Sequence, residues 1–286
     1  MRRAALLALA VVLAGCGGLG TLEATETRTL TPVSVPDERP DGAASTTATA
    51  TVTPTPSVVD AIEADPVALV GIHERSVRRA GFAVAVTHAV DAGPTYRLNA
   101  TAAGDRYRGA VARRDADGRS GFEQGYYNDR QALYVRIAGR NADGSTTVSY
   151  RSLPPSFSLP FDATRGDQLR AILDAADLDL VQVVDGGRDG GFYRARAGPT
   201  TVDSLPVYPG SVRNATVRNL TLTVSTEGVV TAYDFDYEGS RDGDPVAGQV
   251  TVETATVDRR VPRVPEWYGH AIANTSRVAV VGPPAT

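Results

Sequence analysis

Hydrophobic and polar positions along this 286-residue chain fall into three regimes. An unbroken run of Ala, Leu and Val from Ala4 to Ala14 follows Arg2 and Arg3 and ends at Gly15-Cys16. Over 17–57 large apolar side chains become scarce, and Thr, Ala, Pro, Glu and Gly take their place. From about Val58 the apolar positions become periodic. Asp65 as N-cap and Pro66 in the first helical position open a helix that places Leu69, Val70, His73, Val77 and Ala80 on one face, and Gly81 stops it. Beyond Phe82 the period shortens to two. Runs over 82–90, 96–102, 106–113, 132–138 and 146–151, separated by turn clusters at 115–118 and 141–144, predict an antiparallel meander. After a Pro-rich break at 154–160, the spacing of Leu169, Ile172, Leu173 and Ala176 predicts a second helix over 164–176. Strands resume over 178–184, 191–197, 217–225, 229–238 and 249–257. Val261-Pro-Arg-Val-Pro265 then leads into a short docked helix at Trp267 and Tyr268.

The alternation assigns faces. Leu220, Leu222 and Val224 alternate with Asn219, Thr221 and Thr223, while Tyr233, Phe235 and Tyr237 alternate with Asp234, Asp236 and Glu238. One face is expected to be apolar and aromatic, the other wet. A long antiparallel sheet with few helices to cover it implies an α+β fold, a large curved sheet (half-barrel) wrapped around a few helices. The absence of repeated strand-helix alternation argues against a solute receptor of the periplasmic type. The expected organisation is a leader over 1–15, a disordered stalk over 16–57, and one domain over 58–286.

Composition sharpens this in three ways. Cys16 is the only cysteine, so once it is modified no disulfide, Cys-metal site or Cys nucleophile remains. All 29 basic residues are arginine. Without lysine there is no Walker-type phosphate-binding Lys, no Schiff-base Lys and no protein-kinase Lys. Loss of Arg2 and Arg3 with the leader takes the formal charge from −4 to −6, a balance that argues against nucleic acid as a partner. Lysine depletion with abundant Asp, Thr, Ala and Val suits a salt-loving, GC-rich archaeal source; codon bias alone is the competing explanation. The 16–57 segment buries too little apolar surface to offset its ordering entropy. Its Thr/Pro repeat at 47–56 has the composition of an O-glycosylated spacer, and about forty extended residues reach on the order of 130 Å.

Candidate chemistry is sparse. Four Asn-x-Ser/Thr acceptors for glycosylation occur, at Asn99, Asn214, Asn219 and Asn274, and strand phase turns Asn99 and Asn219 toward water. The Asp/Gly clusters at 115–118, 185–191 and 241–244 lack the ligand spacing of a calcium loop and are explained by tight turns. His73, His88 and His270 are scattered, with no His-Glu-x-x-His, and no metal or other cofactor is expected. No Gly-x-Ser-x-Gly elbow occurs, and nothing raises a hydrolase above background. His73 lies on an apolar stripe, as either a satisfied core histidine or a ligand. The strand aromatics, among them Tyr134, Tyr233, Phe235 and Tyr237, are either core packing or the lining of a cleft for an acyl or isoprenoid chain. His73 and Trp267 complete that candidate ligand set.

Two resemblances follow. Leu13-Ala14-Gly15-Cys16, behind a basic head and a short apolar core, resembles the lipobox of bacterial and archaeal lipoproteins, in which the chain is cut before Cys and the thiol is lipidated. An ordinary secretory signal with an incidental Cys is the alternative. Arg2-Arg3 would permit twin-arginine export. A lipobox, a Thr-rich stalk, the His73 helix followed by the 82–90 strand, a run of antiparallel strands, and a closing Pro-Glu-Trp together resemble a haloarchaeal lipoprotein family of unknown function. In outline the arrangement is similar to the lipoprotein-carrier fold of the LolA and LppX/LprG type. The resemblance implies a curved sheet around helices with a hydrophobic cavity. The function expected is therefore a membrane-anchored extracellular lipoprotein: a non-enzymatic binding module for a hydrophobic or lipid ligand, lipid on Cys16 being its tie to the membrane. The alternatives are a structural or interaction domain of the cell envelope and, behind it, a hydrolase.

Overall fold

The computed structural model describes residues 57–141, 145–157, 159, 161–184, 191–257 and 262–275. The expected leader, Cys16 and the stalk up to residue 56 lie outside the described residues. So do parts of the turn clusters at 141–144 and 185–191.

Two helices open the domain. In α1 (Val58–Glu63) Ser57 is the N-cap, and its hydroxyl and the Asp60 carboxylate exchange hydrogen bonds with each other's backbone N–H in a capping box. In α2 (Pro66–Ala80) the Asp65 carboxylate accepts from the Ala68 N–H, Pro66 sits where its missing donor costs nothing, and Gly81 at φ 84° ends the helix. A Cβ at Gly81 would stand 2.9 Å from the Ala102 carbonyl oxygen, so the chain leaves α2 through a position that only glycine fills without strain.

The strands follow as β1 (Phe82–Val90), β2 (Thr95–Ala103), β3 (Arg106–Arg114), β4 (Ser120–Asn128), β5 (Leu133–Arg140) and β6 (Thr146–Leu153). After α3 (Gly166–Leu173) come β7 (Leu178–Val184), β8 (Phe192–Ala197), β9 (Thr200–Pro206), β10 (Ser211–Ser225), β11 (Val230–Arg241) and β12 (Asp244–Thr256), then α4 (Tyr268–Asn274). They make one open, curved antiparallel sheet in the order β6-β5-β4-β3-β2-β1-β12-β11-β10-β8-β7, with β9 also on β10. The expected α+β half-barrel is the observed architecture. The β1–β12 pairing, Val86 opposite Val252 and His88 opposite Val250, joins the two meanders.

The strand β10 changes partner along its length: Ser211–Val217 pairs with β9 and Leu220–Ser225 with β8. Its register against β11 shifts at Arg213/Thr216 and again at Arg218/Thr221. Asn214 (φ 47°) and Asn219 (φ 55°) sit in those shifts in the left-handed region, which asparagine tolerates better than most residues.

The inner face carries the core. Val84, Val86, Leu98, Val111, Leu220, Leu222, Val224, Tyr233, Phe235, Val250 and Val252 pack there with Ile62, Leu69, Val70, Val77, Leu169 and Ile172 of the helices. The helical layer is tied to β9–β11 by polar bonds: Gln168 Nε2 donates to the Pro206 carbonyl (2.6 Å), and Tyr233 OH donates to Gln168 Oε1 (2.7 Å). Over β3 the inner cover is a loop. Leu159 and Phe161 stand 3.5 and 3.6 Å from where a Gly109 Cβ would be, and Tyr107 OH donates to the Phe157 carbonyl.

The outer face is not uniformly wet, which corrects the one-sided reading. Tyr127 and Tyr134 are cross-strand partners on it, and both rings meet Tyr268 edge-on at 5.0 Å. Trp267 lies over Gly125, whose Cβ would meet the indole at 3.1 Å, and reaches Tyr150 at 6.5 Å between centroids. The α4 segment thus covers the outer side of β4–β6. Tyr268 OH also donates to Asp129 Oδ2 (2.5 Å). Burial alone would raise the Asp129 carboxyl, but this hydroxyl and the backbone N–H groups of Ala132 and Gln131 hold it below the usual carboxylate range. Among the described residues no helix is long and apolar enough to cross a membrane.

Candidate functional site

The candidate ligand residues do not converge on one site. Tyr233, Phe235 and Tyr237 point inward from β11 and are 1–3% exposed, with Tyr233 and Phe235 stacked at 6.3 Å. His73 is buried with them. Tyr134 and Trp267 lie on the opposite side of the sheet, under and beside Tyr268. The alternation put Tyr233, Phe235 and Tyr237 on the apolar face, but nothing in the pattern showed that Tyr134 and Trp267 lie on the other one.

Both inner histidines serve as ties between elements. The Val230 N–H donates to His73 Nδ1 (3.2 Å), which leaves the proton on Nε2, and that group donates to the Thr164 carbonyl (3.0 Å). One ring thus joins α2 to β11 and to the loop before α3. Burial pushes its pKa down against weaker opposing contributions from the Thr164 bond, Glu74 and Asp162.

His88 has the opposite tautomer. Its Nδ1–H donates to the Tyr208 carbonyl (2.6 Å), and its Nε2 accepts from Tyr237 OH (2.7 Å). The ring stacks on Tyr96 at 5.8 Å, and Tyr96 in turn meets Tyr208 edge-on at 5.7 Å. Tyr208 lies in the β9–β10 turn, closed by a Val207 N–H to Gly210 carbonyl bond around the cis Tyr208-Pro209 peptide. Burial lowers the His88 pKa to about 4; the Tyr208 bond opposes that, and Arg241 and Arg165 add to it. Burial likewise raises the Tyr233 and Tyr237 hydroxyls to about 12, so both stay protonated donors.

The polar surroundings of this cluster were not anticipated from sequence. Arg165, the residue before α3, is 5% exposed and has φ 60°, and its charge and that of Asp162 act in opposite directions on the Tyr233 hydroxyl. Arg241 ends β11 on the same face as Tyr233 and Tyr237, half-buried. A buried arginine beside a Thr-Arg-Gly turn carries no sequence signal, since Arg is ordinarily a surface residue.

The glycosylation acceptors are all exposed, as strand phase predicts for Asn99 and Asn219. Asn219 Nδ2 donates to Asp236 Oδ2 (2.7 Å), and Asn274 Nδ2 donates to the His270 carbonyl (2.9 Å). Asn99 borders two open grooves on the outer face. One, of about 580 Å³, runs over Ala83, Ala85, Thr231, Glu253 and Ala255; the other, of about 270 Å³, runs over Arg108 and Ala110. Among the described residues no three His, Cys, Asp or Glu side chains are placed to hold a metal ion. Cys16 lies outside the described residues. No protein-family model and no curated protein matches this chain.

Proposed function

We propose that this chain is a lipoprotein held at the outer face of the cell membrane through Cys16, and that its domain, carried on the 16–57 stalk, is a non-enzymatic binding module. What supports this reading over a hydrolase built on a core histidine is the commitment of His73 and His88. All four ring nitrogens are spent on hydrogen bonds to Thr164, Val230, Tyr208 and Tyr237, and none faces a Ser hydroxyl or an Asp carboxylate as a hydrolytic pair requires.

For a hydrophobic ligand the geometry moves the wall. Tyr233, Phe235 and Tyr237 are packed in the core. The inner side of the β3–β6 wing instead presents Tyr107, Phe122, Ile137, Leu153, Leu159 and Phe161, all only partly buried. An acyl or isoprenoid chain would lie along this wing. The alternative, an interaction domain of the envelope, is favoured by the two small-residue grooves meeting at Asn99 on the outer face.

The test is fractionation of the native cells combined with mass spectrometry of the purified protein. The wild-type chain should sediment with membranes and begin at a lipid-modified Cys16, and it should yield any co-purifying lipid. Cys16→Ser should release a folded chain. A variant that stays membrane-bound overturns the anchor, and a wild-type protein free of bound lipid shifts the reading to the interaction domain.

A further inference from the structure

The curved sheet is open, and its two ends are finished differently. At one end β7 slips register against β8 between Leu180 and Gln182, an irregularity of the kind that blunts an edge strand. The strand β9 lies against α3. At the other end β6 pairs with β5 without a break, from Thr146 opposite Arg140 to Leu153 opposite Leu133. The strand holds no proline and no glycine, and its only charged residue is Arg151. Among the described residues no strand pairs with its far edge.

The hydrogen-bond phase of that edge follows from the hairpin. The Asn141 N–H donates to the Ser145 carbonyl (2.8 Å), a bonded pair that continues the β5–β6 register. Bonded and non-bonded positions alternate along an antiparallel ladder, so Thr147, Ser149, Arg151 and Leu153 turn their backbone groups to β5. Thr146, Val148, Tyr150 and Ser152 turn theirs to the free side, where a row of unpaired N–H and C=O groups is a template for another strand. By strand phase the side chains of these same residues lie on the outer face, where Tyr150 rests beside Trp267. Val148 is 40% exposed there, and Val264 and Ile272, in the segment that carries α4 over this wing, are exposed as well.

We propose that the free edge of β6 pairs with the β6 edge of a second copy of this chain, antiparallel, across a two-fold axis at Ser149. A two-fold axis normal to the sheet sets the strands antiparallel and keeps inner face with inner face. The register centred on Ser149 places Thr146 opposite Ser152 and Val148 opposite Tyr150, so the free backbone groups of all these residues find partners in the other copy. Centring on Val148 would leave Ser152 facing residue 144 beyond the strand, and centring on Tyr150 would leave Thr146 facing Pro154, which has no N–H to donate. The favoured register also sets a β-branched side chain against an aromatic ring on each side of the axis, and it places Arg151 opposite Thr147 instead of its own copy. This self-complementarity selects a second copy over an unrelated strand. The proposal goes beyond the binding reading above and needs neither the anchor nor a ligand.

The test uses the full chain with Cys16→Ser, so that no anchor confuses the result. Sedimentation velocity from about 1 to 100 μM reads the association, and hydrogen exchange at both ends of that range reads the edge. A dimer should form with rising concentration and slow exchange over 146–152 as it forms. Val148→Pro removes a donor on the free side and leaves the bonds to β5, so it should raise the dissociation constant by on the order of tenfold or more. Ser149→Arg sets like charges against each other across the axis and should weaken pairing to a similar extent. An equimolar mixture of Ser149→Arg with Ser149→Asp should restore it as a heterodimer. Ser149 is exposed, so this pair of variants keeps the test valid should Val148→Pro fail to fold. A chain that stays monomeric across the range overturns the proposal, as does a mixture that fails to associate. A dimer with unchanged exchange over 146–152 overturns it too, because its contact then lies elsewhere. Protection of 146–152 that does not depend on concentration also overturns it and assigns the edge to another part of the same chain.

Discussion

Acidification should destabilise this domain well before its carboxylates protonate, and His88 is the reason. In the native state the ring is buried, and its pKa falls from 6.5 to about 4. Both nitrogens are fixed: Nδ1 as donor to Tyr208, Nε2 as acceptor from Tyr237. A second proton turns Nε2 into a donor facing a hydroxyl that already points its hydrogen there, and it does so beside Arg241 and Arg165. Because the unfolded chain takes up this proton more readily than the native one, stability is full above the ordinary histidine pKa and is lost as pH falls toward 4. The difference between 6.5 and about 4 corresponds to ~3.4 kcal/mol once the pH is below both values, of which ~2 kcal/mol is lost between pH 7 and pH 5. His73 is shifted in the same direction and adds to the loss, whereas Asp129, held below the usual carboxylate range, releases its contribution only at lower pH. Guanidinium unfolding at pH 7, 6 and 5 measures the effect as a drop in midpoint at constant slope. In His88→Gln, whose side chain keeps a donor and an acceptor but does not titrate, stability should be lower at pH 7 and the loss between pH 7 and pH 5 should shrink by more than half. A wild-type domain equally stable at pH 7 and 5, or a variant that loses as much as the wild type, would refute this account of His88.

Two further substitutions probe the two faces of the sheet. Gly125→Val places branched methyl groups where even a Cβ stands 3.1 Å from Trp267, and it should lift the indole off β4. Trp267 is the only tryptophan, so its emission should shift to the red and quench more readily with acrylamide. The loss is ~2 kcal/mol if about 100 Å² of ring surface is freed; an unmoved emission maximum would contradict the packing. Gly248→Ala would drive a methyl into the Ala89 carbonyl oxygen and to 2.9 Å from Tyr237 OH, so β1 and β12 must part or the Tyr237–His88 bond must break. A loss of roughly 1–3 kcal/mol in thermal unfolding is expected, and an unchanged midpoint would show that this strand pair is looser than the register implies.

Where local chemistry decided the structure, the sequence was legible. Asp65, Pro66 and Gly81 each carry a position-specific reason to bound α2, and α2 has those bounds. The alternation in β10 and β11 assigned Leu220 to Val224 and Tyr233 to Tyr237 to the core because one side of those strands is wet. The strand β4 was not anticipated, for a tertiary reason. Its outer face is covered by Trp267 and Tyr268, so Gly125 and Tyr127 stand where alternation asks for polar residues. The strand β9 also went unread, because it pairs only with the far end of β10 and has prolines at its margins. The candidate site was the least legible part. Which aromatics share a face depends on register across six or more strands, and Arg165 and Arg241 come near enough to His88 to oppose its charge only through the tertiary fold.

The asparagines show how the same residue answers two different demands. Asn214 and Asn219 stand where β10 is bulged, with positive φ, at the points where it slips register against β11 and passes from β9 to β8. Asparagine is favoured there for its backbone alone, and the amide of Asn219 is further engaged by Asp236. Their Asn-x-Thr context therefore needs no glycan to explain it. Asn99 sits in an unbulged stretch of β2, paired with Ala85 and Ala110, exposed and at the junction of both outer grooves. No backbone requirement selects asparagine at that point. Of the three strand acceptors it is the one whose residue type is left for surface chemistry to explain, so glycan attachment, if it occurs on the sheet, is expected first at Asn99 on the open outer face.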